Sequence, residues 1–190
     1  MTKELRWRIV ALQAMMVLVL GFCAGFLFWG SSFVTGMVHD QLVAQKIFVP
    51  PPSEIKTGGA LDPAEFSAEI RGYAGQQVDN GDKARVYAND FIGVHLQAVA
   101  NGKTYSEVST LSRANPSDTK LAGQVQTLFR GETLRGLLLN AFGWSQVAMY
   151  ALYTAIGLTA AAIALFAAMV FEIVLALRPA AARRTQPIPA

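Results

Sequence analysis

The chain has 190 residues, of which 53% are hydrophobic and 15% are charged, with a formal net charge of +3. This composition is too apolar for an ordinary soluble domain and too polar for a channel-forming bundle of membrane helices, so it favours one small domain attached to membrane spans. The basic excess lies at the two ends, which hold six basic and two acidic residues. It therefore marks membrane topology and excludes nucleic-acid binding by a basic domain.

The first predicted element is an apolar helix that begins near Ile9. A run of about 18 or more apolar residues predicts a membrane span, because the bilayer core is ~30 Å thick and a helix rises ~1.5 Å per residue. Trp7 and Trp29 are 22 residues apart, about 33 Å along a helix, which fits the interfacial aromatic belts of one bilayer. No proline follows before Lys46, so we expect the span to continue as a stalk. The run is too long for a cleaved signal, which favours a signal anchor.

A polar middle of roughly a hundred residues follows and contains only helix signals. Pro50-Pro51-Pro52 ends the stalk, because proline has no amide donor. Asp62-Pro63 predicts the start of a helix that ends near Gly72 or Gly75. A longer helix is expected over 82–100, with Ala88, Ile92, Leu96 and Val99 on one face.

Two further helices are predicted by their end signals. Asn101-Gly102 ends the preceding helix, and Thr104 with Glu107 forms a capping box that opens a short helix to about Arg113. Asn115-Pro116 breaks the chain again, and Ser117 or Asp118 can cap a last helix that runs toward the membrane. A domain of this size has a marginal core alone, so we expect it to pack on the stalk and on residues 134–142.

The second span is predicted within 136–177. Trp144, Tyr150 and Tyr153 mark its outer interface, and a bend is plausible near Gly143-Trp144. Glu172 lies near the inner end, where we expect it to reach the interface or to pair with an arginine of a tail.

Small residues predict where the two spans approach each other or a lateral partner. Gly21 and Gly25 lie on one face of the first helix, and Ala151 and Ala155 give the second helix the same spacing. Small residues permit the close backbone contact by which helices associate in lipid. The sequence leaves open which of the two contacts is made.

The predicted fold class is an all-α membrane protein, in which two transmembrane helices form a hairpin with a small extracytoplasmic helical cap domain. Both termini are expected in the cytoplasm, since short Lys/Arg-rich flanks stay inside. The predicted boundaries are a cytoplasmic tail (1–8), transmembrane helix 1 and stalk (9–46), a Pro/Gly linker (47–61), the extracytoplasmic domain (62–135), the pre-membrane stretch and transmembrane helix 2 (136–177), and a second cytoplasmic tail (178–190).

Chemistry-bearing motifs are sparse, and we predict no catalytic, cofactor or metal site. One cysteine, Cys23, and two histidines do not match a zinc-binding or Cys/His nucleophile pattern. His95 shares a helix with Asp90, and His39-Asp40 could respond to pH, but hydrogen-bonded or solvated roles are favoured for both histidines.

The strongest candidate for a ligand contact is a pair of arginines, Arg130 and Arg135, near the outer leaflet. Together they could contact an anionic lipid or a partner protein. Alternatively, Glu132 and Arg135 pair on a solvated helix face, and this structural interpretation is favoured.

Three segments carry a resemblance to a known group of proteins: 38–46 (VHDQLVAQK), 73–78 (YAGQQV) and 127–144, which begins TLFRGETLRG. With these segments the chain resembles a set of actinobacterial two-span membrane proteins of unknown function, some of which carry an aromatic ring-opening dioxygenase label. The resemblance implies membrane topology and source, and no activity. The two histidines lie far apart in sequence and have no ligand cluster beside them, so the residues do not support the dioxygenase label.

The leading functional expectation is a non-enzymatic integral membrane protein whose extracytoplasmic domain is a scaffold or accessory partner in the cell envelope. The alternative is an extracytoplasmic sensor of a small ligand or of pH that signals through a partner protein. The expected partners are the lipid bilayer and either a membrane or envelope protein or a second copy of the chain, with no nucleic acid. An enclosed pocket with converging polar groups would favour the sensor, and an exposed apolar or aromatic patch would favour the scaffold.

Overall fold

A computed structural model describes residues 3–177, which form an all-helical structure with no strand in that range. The elements are listed in chain order: α1 (Lys3–Gln45), a 3₁₀ turn (Pro52–Glu54), α2 (Ala68–Gly72), α3 (Gly81–Val86), a π-helix (Tyr87–Ile92), α4 (Gly93–Ala100), α5 (Tyr105–Ala114) and α6 (Thr119–Leu177). The predicted tail at 178–190 lies outside the described residues.

Helices α1 and α6 are both long and apolar enough to cross a membrane. Their most apolar windows have mean hydropathies of 2.3 and 2.5, and only 11% and 6% of those windows are buried. A core helix of a soluble protein with this composition would be mostly buried, whereas apolar helices that contact lipid are not. Helix α6 continues without interruption through Gly143 and Trp144, where a bend was considered plausible.

The chain divides into two compact units. The central unit is Gly30–Tyr150, and the terminal unit combines Met1–Trp29 with Ala151–Ala190. Within the terminal unit, Arg6 Nε lies 3.4 Å from Glu172 Oε2, an ion pair without hydrogen-bond geometry. Glu172 therefore pairs with an arginine of a predicted tail, here the N-terminal one.

The linker after α1 is fixed to the central unit by backbone hydrogen bonds. The Val49 amide donates to the Gln76 carbonyl at 2.9 Å, and the Gly75 amide donates to the Pro50 carbonyl at 2.9 Å. Val49 is also buried. The first part of the linker, residues 47–51, is thus extended as expected and packs along residues 75–78. The rest of the predicted linker is not extended, because it forms the 3₁₀ turn at Pro52–Glu54 and further turns up to Leu61.

Asp62 does not begin α2, which corrects the predicted helix start. Its carboxylate accepts hydrogen bonds from the Ala64 amide at 2.9 Å and the Gly58 amide at 2.6 Å, and so closes a tight turn. These two donors hold the pKa of the Asp62 carboxyl below its ordinary value. Ser67 then interrupts the helical path with extended backbone, and its Oγ accepts from the Ile70 amide at 3.3 Å. The serine and not the aspartate therefore caps α2.

The helix predicted over 82–100 is present as α3, the π-helix and α4 in direct succession. Positions four residues apart drift by about 40° per step in a regular α-helix. The wider π turn accommodates an extra residue and reduces this drift. Ala84, Ala88, Leu96 and Ala100 are consequently all buried. Ala100 is buried in place of the predicted Val99, which is only half-buried.

The end signals of the last three helices are confirmed. Asn101 ends α4 in the left-handed conformation with φ 51°. Thr104 and Glu107 form the reciprocal capping box of α5, with the Thr104 amide 2.7 Å from the Glu107 carboxylate. Asp118 caps α6 by accepting from the Lys120 and Leu121 amides at 2.9 and 3.0 Å.

Two hydrophobic clusters form the core of the central unit. The larger contains residues of α1, the linker, α2, α3, the π-helix and α6: Val38, Leu42, Val49, Leu61, Phe66, Ile70, Val78, Ala84, Val86, Ala88 and Leu138. The smaller contains Leu96, Ala100, Val108 and Leu128. The expected packing on the stalk and on residues 134–142 is confirmed by Val38, Leu42 and Leu138.

Candidate functional site

The central unit contains a cavity of about 760 Å³, which is within the range of small-molecule sites. Its wall is formed by one face of α1, the two ends of the π-helix and one face of α6. The apolar lining residues are Met37, Val38, Leu42, Ile47, Ile92, Leu134, Leu137, Leu138, Ala141 and Trp144. The polar lining residues are Gln41, Gln45, Tyr87 and Asn140.

Helical spacing explains why α1 and α6 each supply a continuous wall. Met37, Gln41 and Gln45 are four residues apart, so their side chains lie above one another on α1. On α6 the wall is formed by residues spaced three or four positions apart: Leu134, Leu137, Ala141 and Trp144. Gln41, Leu137 and Trp144 are exposed, so the cavity opens to the surface along one side.

The π-helix forms the third wall and is held in place from α6. The Gly93 amide donates to the Ala88 carbonyl, the wide hydrogen bond that defines the π turn. Arg135 Nε donates to the same carbonyl at 3.0 Å, and Arg135 Nη2 donates to Asn89 Oδ1 at 3.1 Å. The guanidinium therefore ties the π turn to α6. π turns are frequent at functional sites, and this one positions Tyr87 and Ile92 on the cavity.

Tyr87 is the half-buried aromatic residue among the polar lining residues. Its ring stacks on Phe91, with the centroids 4.9 Å apart. Burial raises the pKa of the Tyr87 phenol, because the charged form is poorly solvated there. A phenol is already protonated at neutral pH at its ordinary pKa, so the Tyr87 hydroxyl is neutral and can donate a hydrogen bond.

The other polar groups on the cavity are carboxamides. Gln41, Gln45 and Asn140 are exposed and therefore lie toward its open side. A carboxamide both donates and accepts hydrogen bonds, and it carries no charge. None of the fourteen lining residues among the described positions is Asp, Glu, Lys, Arg or His.

The structure separates the two arginines that the sequence analysis grouped. Arg135 is directed at the π-helix and also donates to Glu132 at 2.9 Å, which is the pairing given above as the structural interpretation. Arg130 is exposed. Contact of Arg130 and Arg135 with an anionic lipid or a partner remains a prediction.

The predicted packing residues of the terminal unit behave differently from one another. Ala155 is completely buried, and Ala24 is buried with 4% exposure. Ala151 is half-buried. Gly21 and Gly25 instead line a shallow groove of about 430 Å³, and a Cβ added at either would meet nothing within 4 Å. Ala155 is therefore buried within the terminal unit, whereas Gly21 and Gly25 are exposed, and which contact the small residues make remains a prediction.

The histidine and aspartate side chains considered as catalytic candidates do not line the cavity, and they contact other polar groups. His95 Nδ1 lies 2.9 Å from the Phe91 carbonyl, and Asp90 accepts from Ser67 Oγ at 2.5 Å. His39 Nδ1 lies 2.9 Å from the Asp79 carbonyl. Within residues 3–177, no group of three or more His, Cys, Asp or Glu side chains could hold a metal ion.

Sequence reasoning missed the cavity, although one signal for it was present. The four-residue spacing of Met37, Gln41 and Gln45 indicates that they share one face of the stalk helix. The role of Tyr87 depends on the π turn, which leaves no recognisable pattern in the sequence.

A scan against protein-family models and searches of curated proteins and of solved structures found no match to this chain. The resemblance to actinobacterial two-span proteins therefore remains a prediction.

Proposed function

We propose that this is a two-span membrane protein whose helical cap domain lies outside the cytoplasm and binds an apolar small ligand. In this proposal α1 and α6 form a membrane hairpin with both termini in the cytoplasm, and the ligand occupies the cavity of the central unit. The protein would act as a receptor that reports occupancy to a partner protein. This is the ligand-sensing alternative of the sequence analysis.

One observation carries the binding proposal: a cavity of about 760 Å³ with an apolar wall and a few neutral polar groups. Small-molecule sites combine these features, since apolar surface supplies affinity and a few polar groups fix orientation. The membrane hairpin is supported by the long, exposed apolar helices and by the basic residues at both ends of the chain.

The topology can be tested by labelling single cysteines. Cys23→Ser supplies a background without other thiols, into which Ser106→Cys in α5 or Glu4→Cys in α1 is introduced; both positions are exposed. A membrane-impermeant maleimide added to intact cells should label position 106, and should label position 4 only after lysis. Labelling of position 4 alone in intact cells would contradict the proposed orientation.

Ligand binding can be tested by photocrosslinking of the full chain in nanodiscs with a neutral alkyl diazirine. Peptides covering 37–47 and 134–144 should be labelled. Leu137→Trp, which fills the open side, should reduce this labelling several-fold, whereas Val147→Trp should not, because Val147 is exposed on the same helix but does not line the cavity. Equal labelling in both variants would contradict binding in the cavity.

A scaffold role is the second candidate, and one exposed aromatic pair favours it. The Tyr105 and Phe129 rings lie 6.1 Å apart, and both are exposed, so together they offer an aromatic contact surface on the central unit. A partner protein that binds there should be lost from mild-detergent preparations of Phe129→Ser. Retention of the partner in that variant would contradict this contact.

A further inference from the structure

The residues that line the cavity bear on whether its ligand is charged or neutral. The inference drawn from them rests on the binding function proposed above. Ten lining residues are apolar and the other four are neutral polar groups. We propose that the cavity binds a neutral amphiphile, which is a hydrocarbon chain or ring system that carries an uncharged hydroxyl, carbonyl or ester group, taken from the surrounding membrane.

The first argument is the cost of burying a charge. A carboxylate, phosphate or ammonium group that enters an apolar site without a countercharge loses its hydration and gains little in return. Arg135 does not supply a countercharge, because its guanidinium already donates to Ala88, Asn89 and Glu132. Lys46 follows the lining residue Gln45 in sequence, but it is exposed and does not line the cavity. A charged head group is therefore disfavoured beside the half-buried Tyr87, away from the exposed amides of the open side.

The second argument is the match between the polar lining groups and a neutral head group. The Tyr87 hydroxyl can donate and accept a hydrogen bond, as any neutral phenol can. The carboxamides of Gln41, Gln45 and Asn140 can each donate and accept. A hydroxyl, carbonyl or ester group needs one or two such partners and no countercharge, so the lining can satisfy it completely.

The third argument concerns the source of the ligand. Trp144 lines the cavity, and the same helix continues from it into the candidate span of α6. Tryptophan is enriched where a helix leaves the hydrocarbon core, because its ring is apolar and its N–H is polar. Under the proposed topology the open side therefore lies near the outer leaflet, where amphiphiles are concentrated.

The proposal is tested with three probes of equal chain length and different charge. Dodecanol, dodecanoate and dodecylammonium compete with the alkyl diazirine for the full chain in nanodiscs at pH 7.5, and each is compared at the same membrane-bound concentration. Dodecanol should protect peptides 37–47 and 134–144 at least ten-fold more effectively than either charged probe.

A lysine introduced into the cavity lining provides a second test of the ligand's charge. Gln41→Lys should reverse the preference, so that dodecanoate protects better than dodecanol, because the new ammonium supplies the missing countercharge. Gln126→Lys is the matched control, since Gln126 is exposed on α6 and does not line the cavity. It should leave the preference unchanged.

The outcomes separate this inference from the binding proposal. Equal protection by all three probes would overturn the neutral-ligand inference and leave binding in place. Protection by dodecanoate alone in the unmodified chain would also overturn it. If the diazirine labels the cavity peptides no more than it labels peptides 105–114, the binding proposal fails and the inference fails with it.

Discussion

Replacement of Arg135 by methionine should destabilise the π-helix, because the guanidinium is the link between that turn and α6. Methionine keeps most of the aliphatic length and removes the donors to the Ala88 carbonyl and Asn89 Oδ1, which lie at 3.0 and 3.1 Å. A hydrogen bond from a charged donor contributes about 1.5–3 kcal/mol when it is buried.

Two features reduce that figure. The Arg135 side chain is 27% exposed, so water replaces part of what is lost. The Ala88 carbonyl also keeps its bond from the Gly93 amide. The exposed pair with Glu132 adds only about 0.2–1 kcal/mol. We therefore expect a loss of about 2 kcal/mol in the local opening free energy of the π turn.

Hydrogen exchange of the full chain in detergent, followed by mass spectrometry, measures this quantity. Amides of the peptide covering 87–93 should exchange about thirty-fold faster in Arg135→Met, since 1.4 kcal/mol corresponds to a factor of ten. Arg130→Met is the matched control, because Arg130 is exposed on the same helix, and it should change exchange less than three-fold. Equal effects of the two substitutions would refute the role assigned to Arg135.

Three further outcomes are expected. Gly81→Ala should lower the unfolding midpoint of the purified protein, because a Cβ there would lie 3.1 Å from Phe142 Cα, whereas Gly136→Ala, with nothing within 4 Å, should not lower it. Leu128→Ala should cost about 2–4 kcal/mol in denaturant titrations, since Leu128 is buried in the smaller cluster. The amide donors to Asp62 lower its pKa in the folded state, so its charged form stabilises the fold and this stabilisation is lost as the pH falls through the folded pKa. Asp62→Asn should therefore flatten the decline of the unfolding midpoint below about pH 4, and an unchanged decline would contradict this.

The helix ends were predictable because each depends on residues next to one another in the sequence. Thr104 and Glu107 form a capping box whatever lies elsewhere in the chain, and Asn101 tolerates the left-handed conformation that ends α4. Asp62 misled the prediction because an aspartate that caps a helix and one that closes a turn accept similar amide hydrogen bonds. Only the extended backbone at Ser67 distinguishes the two.

The candidate site was not predictable in the same way, because its parts come from distant segments. Gln41 and Asn140 are about a hundred residues apart, and nothing in either segment indicates that both line one cavity. The sequence placed only one partner near Arg135, namely Glu132 at i−3, and this favoured pair is present. The contacts of Arg135 with Ala88 and Asn89 are tertiary and follow from the π turn.

Ile92 packs against both hydrophobic clusters and also lines the cavity. It therefore takes part in the packing of both clusters, and a ligand in the cavity would contact this shared side chain. Occupancy should therefore raise the melting temperature of the central unit in a single sharp transition, and the two clusters should not melt separately. A ligand bound in the proposed way would therefore stabilise both clusters of the central unit together.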